Sequence, residues 1–428
     1  MTMRVAVLGA GSWGTTVAHL TAHNAPTTIF ARRADIAEAI NERHENPTYL
    51  EGYELHPELC ASHDLASVVA EADLLVMGVP SGSFRETLQS VRPHLRPWVP
   101  VVSLAKGLEF GTGRRMTELV EEELEGHPVG VLTGPNLAKE ILAGGAAAAV
   151  IAFTDLTIAE RLQAVFNHQL FRVYTSTDVI GCELGGALKN VIALAAGMAD
   201  GLGTGDNTRA AVMTRGLAEL TRLGVALGGD PATFAGLAGM GDLLATCMSP
   251  QSRNRYVGEQ MGKGRSVDEI QAEMNQVAEG VKSATIVCEL AQAHEVYMPI
   301  AEQMRACVQE GRSAMEAYRG LVRSPAAREI DPDKPWDSFP VFAAGLHPSI
   351  PRSGSSWVTF RVPLLGSVRR ATSPHSTAPG NSNGACVPGH RGSAPLRRPL
   401  SVRVGSTTLR CTKPGCASRG AMSSSGLG

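Results

Sequence analysis

The chain has 428 residues, of which 43% are hydrophobic and 19% are charged, as is typical of a globular enzyme with roughly two or three domains. Its formal net charge of −2 argues against a polyanionic partner such as nucleic acid, and without an apolar run of about 18 residues we expect no membrane span. The eight cysteines form no CxxC pair and no regular framework, so we expect reduced thiols, no metal centre and a cytoplasmic location.

The first predicted element is a strand that runs into a glycine-rich turn. Residues 5–8 read VAVL, as expected of a strand buried on both faces of a parallel sheet, and they leave no room for a signal peptide before them. In the GAGSWG stretch that follows, Gly9 permits the turn, Gly11 lets a pyrophosphate approach, and Gly14 lets a helix lie close to the strand. The helix N-terminus adds free N–H groups. This context favours a dinucleotide site, and a plain tight turn is the alternative.

The end of the second predicted strand indicates which dinucleotide is preferred. NAD-binding units carry an acidic residue here that binds the ribose 2′-hydroxyl, whereas this chain has Arg32 and Arg33. A guanidinium pair attracts a 2′-phosphate and has no carboxylate to repel it. We therefore predict NADP(H) as the preferred cofactor and leave NAD(H) open as a second one; two solvated arginines are the alternative.

Apolar strands continue to alternate with helical stretches as far as residue 180. Further strands are predicted within residues 72–80, 99–109, 128–141 and 146–153. This alternation predicts an α/β fold, a Rossmann-type doubly wound sheet, for an N-terminal domain over residues 1–180.

Two loops that follow these strands carry candidate binding residues. Lys106 lies in SLAKGLE, and Gly134, Asn136 and Ala138 lie in TGPNLAKE. Ligands of an open α/β sheet bind at the carboxyl ends of the strands, so these residues should converge on one crevice. Loop capping is the competing explanation.

The pattern becomes helical after residue 180. Long helical stretches predict an all-α domain over residues 181–322. Residues 323–428 are crowded with Ser, Pro, Gly and Arg and show no periodicity, so we predict a disordered low-complexity tail. Cys411 and Cys416 in that tail lack a second pair of metal ligands.

Lys189 is the first candidate for chemistry in the helical domain. The apolar positions around it form one helical face, and Lys189 lies off that face beside the small residues Gly185 and Gly186. Small neighbours let another surface come close, and a lysine enclosed there would lose its water shell, as suits a general base. The alternative is a surface lysine on an amphipathic helix.

A second polar cluster begins at Asp242, which follows a Gly-Met-Gly sequence. Ser249 is predicted to cap a helix whose first position is Pro250. The first turn of that helix would offer amides, a hydroxyl and a guanidinium to a phosphate, through Ser252, Arg253 and Asn254. A capped helix with exposed polar residues is the alternative.

Histidines provide only weak metal signals. His19 and His23 are one helical turn apart without a third ligand, and His56, Cys60 and His63 lie in a polar connection. We predict no metal site from either group.

Seven motifs together resemble one enzyme family: GAGSWGTT, SLAKGLE, TGPNLAKE, ELGGALKNVIALAAG, GMGDLLATC, SRNRYVG and VAEGVKSA. In this order, from about residue 3 to about residue 322, they resemble the bacterial NAD(P)-dependent sn-glycerol-3-phosphate dehydrogenases. The resemblance implies a helical domain like that of 6-phosphogluconate dehydrogenase. It also implies interconversion of dihydroxyacetone phosphate and sn-glycerol 3-phosphate with NAD(P)H, which supplies glycerol phosphate for phospholipids.

The resemblance also implies roles for individual residues. It makes Lys189 the catalytic proton-transfer residue. Beside the three glycines of the turn, the implied cofactor-binding residues are Ser12, Trp13, Arg32, Arg33, Lys106, Ala138, Arg253 and Glu279. The implied substrate-binding residues are Lys106, Gly134, Asn136, Lys189, Asp242, Ser252, Arg253 and Asn254. Asn136 stands where the family commonly has Ser or Thr.

Two rival functions remain open. A related β-hydroxyacid dehydrogenase would share the fold but act on a carboxylate substrate. A non-catalytic dinucleotide sensor would bind NADPH without turnover. We expect a small-molecule substrate and no nucleic acid, and we leave a homodimer open as the assembly.

Overall fold

The computed structural model of the chain describes residues 3–274 and 278–323. The tail predicted over residues 323–428 therefore lies outside the described residues, apart from Arg323 at the end of the last helix. The strands in the described part form one sheet: β1 (Val5–Leu8), β2 (Thr27–Phe30), β3 (Cys60–Ser62), β4 (Leu74–Met77), β5 (Val101–Ser103), β6 (Val129–Thr133), β7 (Ala147–Phe153) and β8 (Phe171–Ser176).

The sheet confirms the predicted fold class, with one correction to its direction. The strand order is β3-β2-β1-β4-β5-β6-β7-β8, and the first six strands in this order are parallel. That order over β1–β6 is the Rossmann order. Strand β7 pairs antiparallel with β6, and β8 pairs parallel with β7, so the last two strands run against the others.

Helices cover both faces of this sheet. They are α1 (Ser12–Ala22), α2 (Ala34–Arg43), α3 (Leu65–Ala70), α4 (Phe84–Val91), α5 (Met116–Glu123), α6 (Ala138–Leu142) and α7 (Leu156–Phe166), with a 3₁₀ turn at Ser81–Ser83. Alternate residues of β1 enter different cores: Val5 and Val7 pack with α1, α2 and α7, whereas Ala6 and Leu8 pack with α3, α4 and α5. The continuous apolar runs of the strands follow from this two-sided burial.

The rest of the described chain is helical. Its elements are α8 (Val179–Gly201), α9 (Asp206–Ala226), α10 (Pro231–Phe234), a π-helix (Leu237–Gly241), α11 (Asp242–Met248), α12 (Arg253–Gly262), α13 (Val267–Ala272), α14 (Glu279–Ala293), α15 (Pro299–Gln309) and α16 (Ala314–Arg323). Asp178 caps α8, because its side chain accepts a hydrogen bond from the N–H of Gly181 at 2.8 Å.

Helix α8 is the core of this helical part rather than an amphipathic surface helix. It is buried on nearly all sides, where the sequence indicated one apolar face. By length and composition α8 could cross a membrane, with a mean hydropathy of 1.5 over 18 residues, although we expected no apolar run of that length. Of this window, 94% is buried inside the protein. Glycines permit this enclosure: a Cβ at Gly258 of α12 would lie 2.0 Å from the carbonyl oxygen of Leu194 in α8.

Glu219, on α9, is a buried carboxyl that carries a prediction about pH. Its two oxygens accept hydrogen bonds from the backbone N–H groups of Ile300 and Ala301, at 2.8 and 3.2 Å. Burial raises the pKa of Glu219 from its ordinary value of 4.5 to about 7. The native state therefore holds this proton more tightly than the unfolded chain does. This contribution to stability is complete below pH 4.5 and is lost as the pH rises to about 7.

We expect Glu219→Gln to reduce this pH dependence, because glutamine resembles the protonated carboxyl and does not titrate. The Tm of wild type should fall relative to that of the variant as the pH rises through this window, measured by differential scanning calorimetry. Glu160→Gln, at an exposed position of α7, is the matched control and should track wild type. Parallel Tm curves for wild type and Glu219→Gln would show that this proton is not linked to folding.

Candidate active site

The glycine-rich turn between β1 and α1 has three different steric environments. Gly9 has a φ of +107°, a backbone conformation that favours glycine, and a Cβ there would lie 2.6 Å from the carbonyl oxygen of Gly78. A Cβ at Gly14 would lie 2.1 Å from the carbonyl oxygen of Gly9. At Gly11 a Cβ would meet nothing within 4 Å. The first and third glycines thus serve the close packing of the turn, while the second leaves an open face for a ligand.

The start of α1 fits an anionic cofactor. The N-cap residue is Gly11, which has no side chain to bond the first amides of the helix. The indole Nε1 of Trp13 is buried and has no hydrogen-bond partner among the described residues. Ser12 donates to the carbonyl oxygen of Tyr49 at 3.3 Å. The unpaired amides and the indole N–H lie beside an open stretch of backbone. A dinucleotide phosphate bound there could accept hydrogen bonds from them.

Arg32 and Arg33 follow β2 and are both exposed. Arg33 forms a bidentate ion pair with Asp35, in which Arg33 Nε lies 3.0 Å from Asp35 Oδ1. The expectation that no carboxylate lies beside the arginines is therefore wrong. Asp35, two residues after Arg33, neutralises part of the positive charge of Arg33. Among the described residues, Arg32 forms no ion pair, so its guanidinium is available to a 2′-phosphate.

Two lysines meet one carboxylate where the sheet and the helical part adjoin. Lys106, after β5, has its Nζ 2.9 Å from Asp242 Oδ2, and Lys189, on α8, has its Nζ 3.4 Å from Asp242 Oδ1. Lys189 is only 4% exposed, which excludes the surface-lysine alternative. Its Nζ also donates to Thr246 Oγ1 at 2.7 Å and to Asn190 Oδ1 at 3.3 Å.

The electrostatics of this lysine pair depend on burial. Desolvation lowers the pKa of Lys106; the negative charge of Asp242 opposes this, and the positive charge of Lys189 adds to it. Cys247 lies in the same region, but burial raises the pKa of its thiol to about 12, so it is not a nucleophile at neutral pH. The lysines and Asp242 are thus the groups suited to proton transfer and to stabilising charge.

The loop after β6 brings its candidates to the same place. The carbonyl oxygen of Gly134 accepts a hydrogen bond from Lys106 Nζ at 2.8 Å. Both polar atoms of the Asn136 side chain are buried without a partner among the described residues. A buried orphaned amide is costly unless something bonds it, so Asn136 suits a polar ligand. Ala138 begins α6 at the edge of this loop.

The start of α12 differs from the sequence prediction. The helix begins at Arg253 with Ser252 as its N-cap, whose Oγ accepts from the N–H of Arg255 at 3.2 Å. Ser249 instead follows the end of α11, and its Oγ accepts from the N–H of Gln251 at 3.1 Å. The predicted start at Pro250 is therefore wrong, because two serines three residues apart both offer caps and the second one, Ser252, caps the helix.

Asn254 and Asn190 form a buried pair of amides that links helices α8, α12 and α14 to the loop after β5. Asn254 donates to Asn190 Oδ1 at 2.9 Å and accepts from the N–H of Gly280 at the same distance. Asn190 donates to the carbonyl oxygen of Lys106 at 2.8 Å. Sequence reasoning missed Asn190, although a polar residue directly after Lys189 in an apolar helix is a signal. It also missed Thr246, which only the fold brings to Lys189.

Glu279 is the first residue of α14 and faces the sheet half. Its Oε1 accepts a hydrogen bond from Ser81 Oγ, in the 3₁₀ turn after β4, at 3.4 Å. Burial raises the pKa of Glu279, and the positive charge of Arg253 opposes that shift. Arg253 itself is exposed at the start of α12. Glu279 of α14 and Arg253 of α12 therefore interact electrostatically, beside the strand ends of the sheet.

The fold brings together four histidines from separate parts of the sequence: His19, His23, His56 and His168. The ring of His23 stacks on His168 with centroids 3.8 Å apart, and His56 lies 4.2 Å from His23. The Nδ1 of His19 accepts from the backbone N–H of His56 at 3.0 Å, which puts the proton of a neutral ring on Nε2. No group of three or more potential ligands in the described part of the chain is arranged to hold a metal ion.

Comparisons with known proteins agree on one family. A family model described as NAD-dependent glycerol-3-phosphate dehydrogenase N-terminus matches residues 4–159, and the corresponding C-terminus model matches residues 178–319. Glycerol-3-phosphate dehydrogenase [NAD(P)+] 2 of Sphingopyxis alaskensis is 60% identical over 78% of this chain and 100% of its own length. The Mycobacterium avium enzyme is 52% identical over 76% of this chain and 96% of its own. The crystal structure of glycerol-3-phosphate dehydrogenase from Coxiella burnetii has a TM-score of 0.72 at 35% identity and covers 75% of this chain and 99% of that one.

Proposed function

The chain belongs to the NAD-dependent glycerol-3-phosphate dehydrogenase family, and from this premise we propose how its residues perform the family's reaction. It is an NAD(P)-dependent oxidoreductase that interconverts dihydroxyacetone phosphate and sn-glycerol 3-phosphate, and it supplies glycerol phosphate for phospholipid synthesis. In this proposal residues 1–180 bind the cofactor, and residues 181–322 supply the catalytic lysine and most of the substrate site. The observation that carries the proposal is the buried cluster of Lys106, Asp242 and Lys189.

The proposed cofactor site extends from the glycine-rich turn to the arginines after β2. The free amides at the start of α1 would bind the pyrophosphate, and Trp13 would donate its orphaned N–H to the cofactor. Arg32 and Arg33 would face the ribose 2′ position and favour NADP(H). The partial neutralisation of Arg33 by Asp35 supports use of NAD(H) as well. Further cofactor contacts are proposed for Lys106, Ala138, Arg253 and Glu279.

The proposed substrate site lies between the loop after β6 and the start of α12. A phosphate there would meet the N-terminal amides of α12, the hydroxyl of Ser252 and the guanidinium of Arg253. Asn136 would bond a polar group of the substrate with its orphaned amide. The remaining proposed contacts are Lys106, Gly134, Lys189, Asp242 and Asn254.

The chain's own groups handle the proton in the proposed mechanism. The nicotinamide cofactor, held by the residues proposed above, would supply the hydride that reduces the ketone carbon. Lys189 then donates a proton to the carbonyl oxygen, and cationic Lys106 stabilises the alkoxide as its charge develops. Asp242 holds both ammonium groups in place, at 3.4 and 2.9 Å. In the reverse direction Lys189 removes the hydroxyl proton as a general base.

The direct test is oxidation of NADPH by the purified protein with dihydroxyacetone phosphate, followed at 340 nm. We expect turnover with NADPH and slower turnover with NADH. A panel of β-hydroxyacids and their ketoacids separates this function from that of a related β-hydroxyacid dehydrogenase, which would prefer the carboxylates. NADPH binding without turnover on any of these substrates would instead indicate a dinucleotide sensor.

Location and assembly are finer proposals. The five cysteines among the described residues are unpaired, which supports action in a reducing compartment, the cytoplasm. The assembly stays open, and sedimentation velocity tests directly whether the protein is a homodimer.

A further inference from the structure

A segment outside the motifs above lies against the glycine-rich turn. It spans residues 44–50, between α2 and β3, and begins at His44, whose φ of 52° ends α2. Asn46 is its most enclosed polar residue, with no exposed surface. A fully buried amide is retained only where its hydrogen bonds are satisfied.

The Asn46 side chain bonds both sides of the turn. Its Nδ2 donates to the carbonyl oxygen of Ala10 at 2.9 Å and to Thr15 Oγ1 at 2.9 Å. Its Oδ1 accepts from the N–H of Tyr49 at 3.3 Å. Ala10 lies between the first two glycines of the turn, and Thr15 lies in the first turn of α1. One side chain therefore links the loop to the helix that follows it.

The same segment has a second contact with the turn. Ser12 Oγ donates to the carbonyl oxygen of Tyr49 at 3.3 Å, and the Oδ1 bond from Asn46 fixes the N–H of that same tyrosine. Tyr49 also lies close enough to Arg33 to interact with it electrostatically. The segment thus extends from the phosphate end of the proposed cofactor site to the arginines after β2.

The hydrogen bonds from Asn46 matter because the turn is rich in glycine. Glycines lose more conformational entropy on ordering than other residues, and the turn has few side chains of its own to hold it. Its amides bind an anion well only if they already point to one place, since ordering them on binding would cost affinity. A buried amide bonded on both sides of the turn provides that order in the free protein.

We propose that Asn46 is a positioning residue that pre-organises the glycine-rich turn for the cofactor. The inference rests on the proposed function only in taking NAD(P)H as the ligand. It assigns Asn46 no contact with the cofactor, and it assigns no role in hydride or proton transfer.

The test compares Asn46→Ala with a matched variant at the far end of α1. Thr21 is equally buried, and its Oγ1 donates to the carbonyl oxygens of Val17 and Ala18, so Thr21→Ala removes a comparable side chain away from the turn. Each protein is titrated with NADPH by fluorescence, assayed at saturating cofactor and melted by calorimetry. For Asn46→Ala we expect Kd and KM for NADPH to rise about tenfold, because a turn that has lost both Nδ2 hydrogen bonds must be ordered when the cofactor binds. The kcat and the KM for dihydroxyacetone phosphate should stay within about twofold of wild type.

Asn46→Asp keeps the shape and the acceptor but removes the donor, so it should weaken NADPH binding at least as much, even if the alanine variant folds poorly. An unchanged Kd in a folded Asn46 variant would overturn the inference. So would a rise in Kd that Thr21→Ala reproduces at the same loss of Tm, because the effect would then be general destabilisation. Failure of wild type to bind either dinucleotide would instead overturn the proposed function, and the inference with it.

Discussion

Lys189→Met is expected to lower kcat by about 100-fold or more while leaving the Kd for NADPH near that of wild type. Methionine has a similar length and keeps the buried position filled, but it can neither donate nor accept the proton. The Nζ of Lys189 lies 2.7 Å from Thr246 Oγ1 and 3.4 Å from Asp242, so the change removes the proton donor from the centre of the site. Fluorescence titration and steady-state kinetics measure the two quantities separately.

Lys282→Met is the matched control, because Lys282 is an exposed lysine on α14 outside the proposed site. It should have the kinetics of wild type. A Lys189→Met protein that folds, binds NADPH and retains most of its kcat would mean that another group transfers the proton. Lys106 would be the next group to test, since it contacts the same carboxylate.

The second large effect is expected when Arg32 is replaced by Asp and Arg33 by Ser. A 2′-phosphate would lose two charge-assisted hydrogen bonds, a cost of about 2–4 kcal/mol, or about 30- to 1000-fold in kcat/KM for NADPH. The value for NADH should change far less, because NADH has no 2′-phosphate. The measurement is the ratio of kcat/KM for the two cofactors.

Arg43→Ser provides the control for the arginine variant. Arg43 is exposed at the other end of α2 and pairs with Glu45 two residues on, as Arg33 pairs with Asp35. Its removal should leave the cofactor ratio unchanged. If the Arg32 and Arg33 double variant also keeps the ratio of wild type, these arginines do not bind the 2′ position.

The strands of the sheet show what the sequence could predict. The strand before the glycine-rich turn and the strands β4 to β7 were predicted because continuous apolar runs mark strands covered on both faces. β3 was missed because its sequence, CAS, has no apolar run and only its middle residue is buried. β8 was missed because it alternates buried and exposed residues at one edge of the sheet, so FRVYTS has no apolar run. A strand's position in the sheet decides how visible it is in the sequence.

The site shows a similar division. Lys106 could be predicted as a candidate because it follows a strand, and Lys189 because it lies beside small residues on a helix. Their shared contact with Asp242 depends on how the helical part meets the sheet. The burial of Lys189 was not visible from its helix alone, since Asp242 and Thr246, which contact its Nζ, come from α11. The start of α12 was misplaced because Ser249 and Ser252 are both good caps, and only packing decides between them.

The Lys106–Asp242 pair has a consequence for recombination between relatives. The ammonium comes from the sheet half and the carboxylate from the helical half, and Asn190 of the helical half also bonds the Lys106 carbonyl oxygen at 2.8 Å. The ion-pair partner of Lys106 lies in the other half, and a buried charge that loses its partner is strongly destabilising. A chimera that crosses over between β8 and α8 therefore inherits a functional site only if both parents place this lysine and this aspartate alike. Lys106 and Asp242 therefore have to be inherited together, although they lie far apart in the sequence.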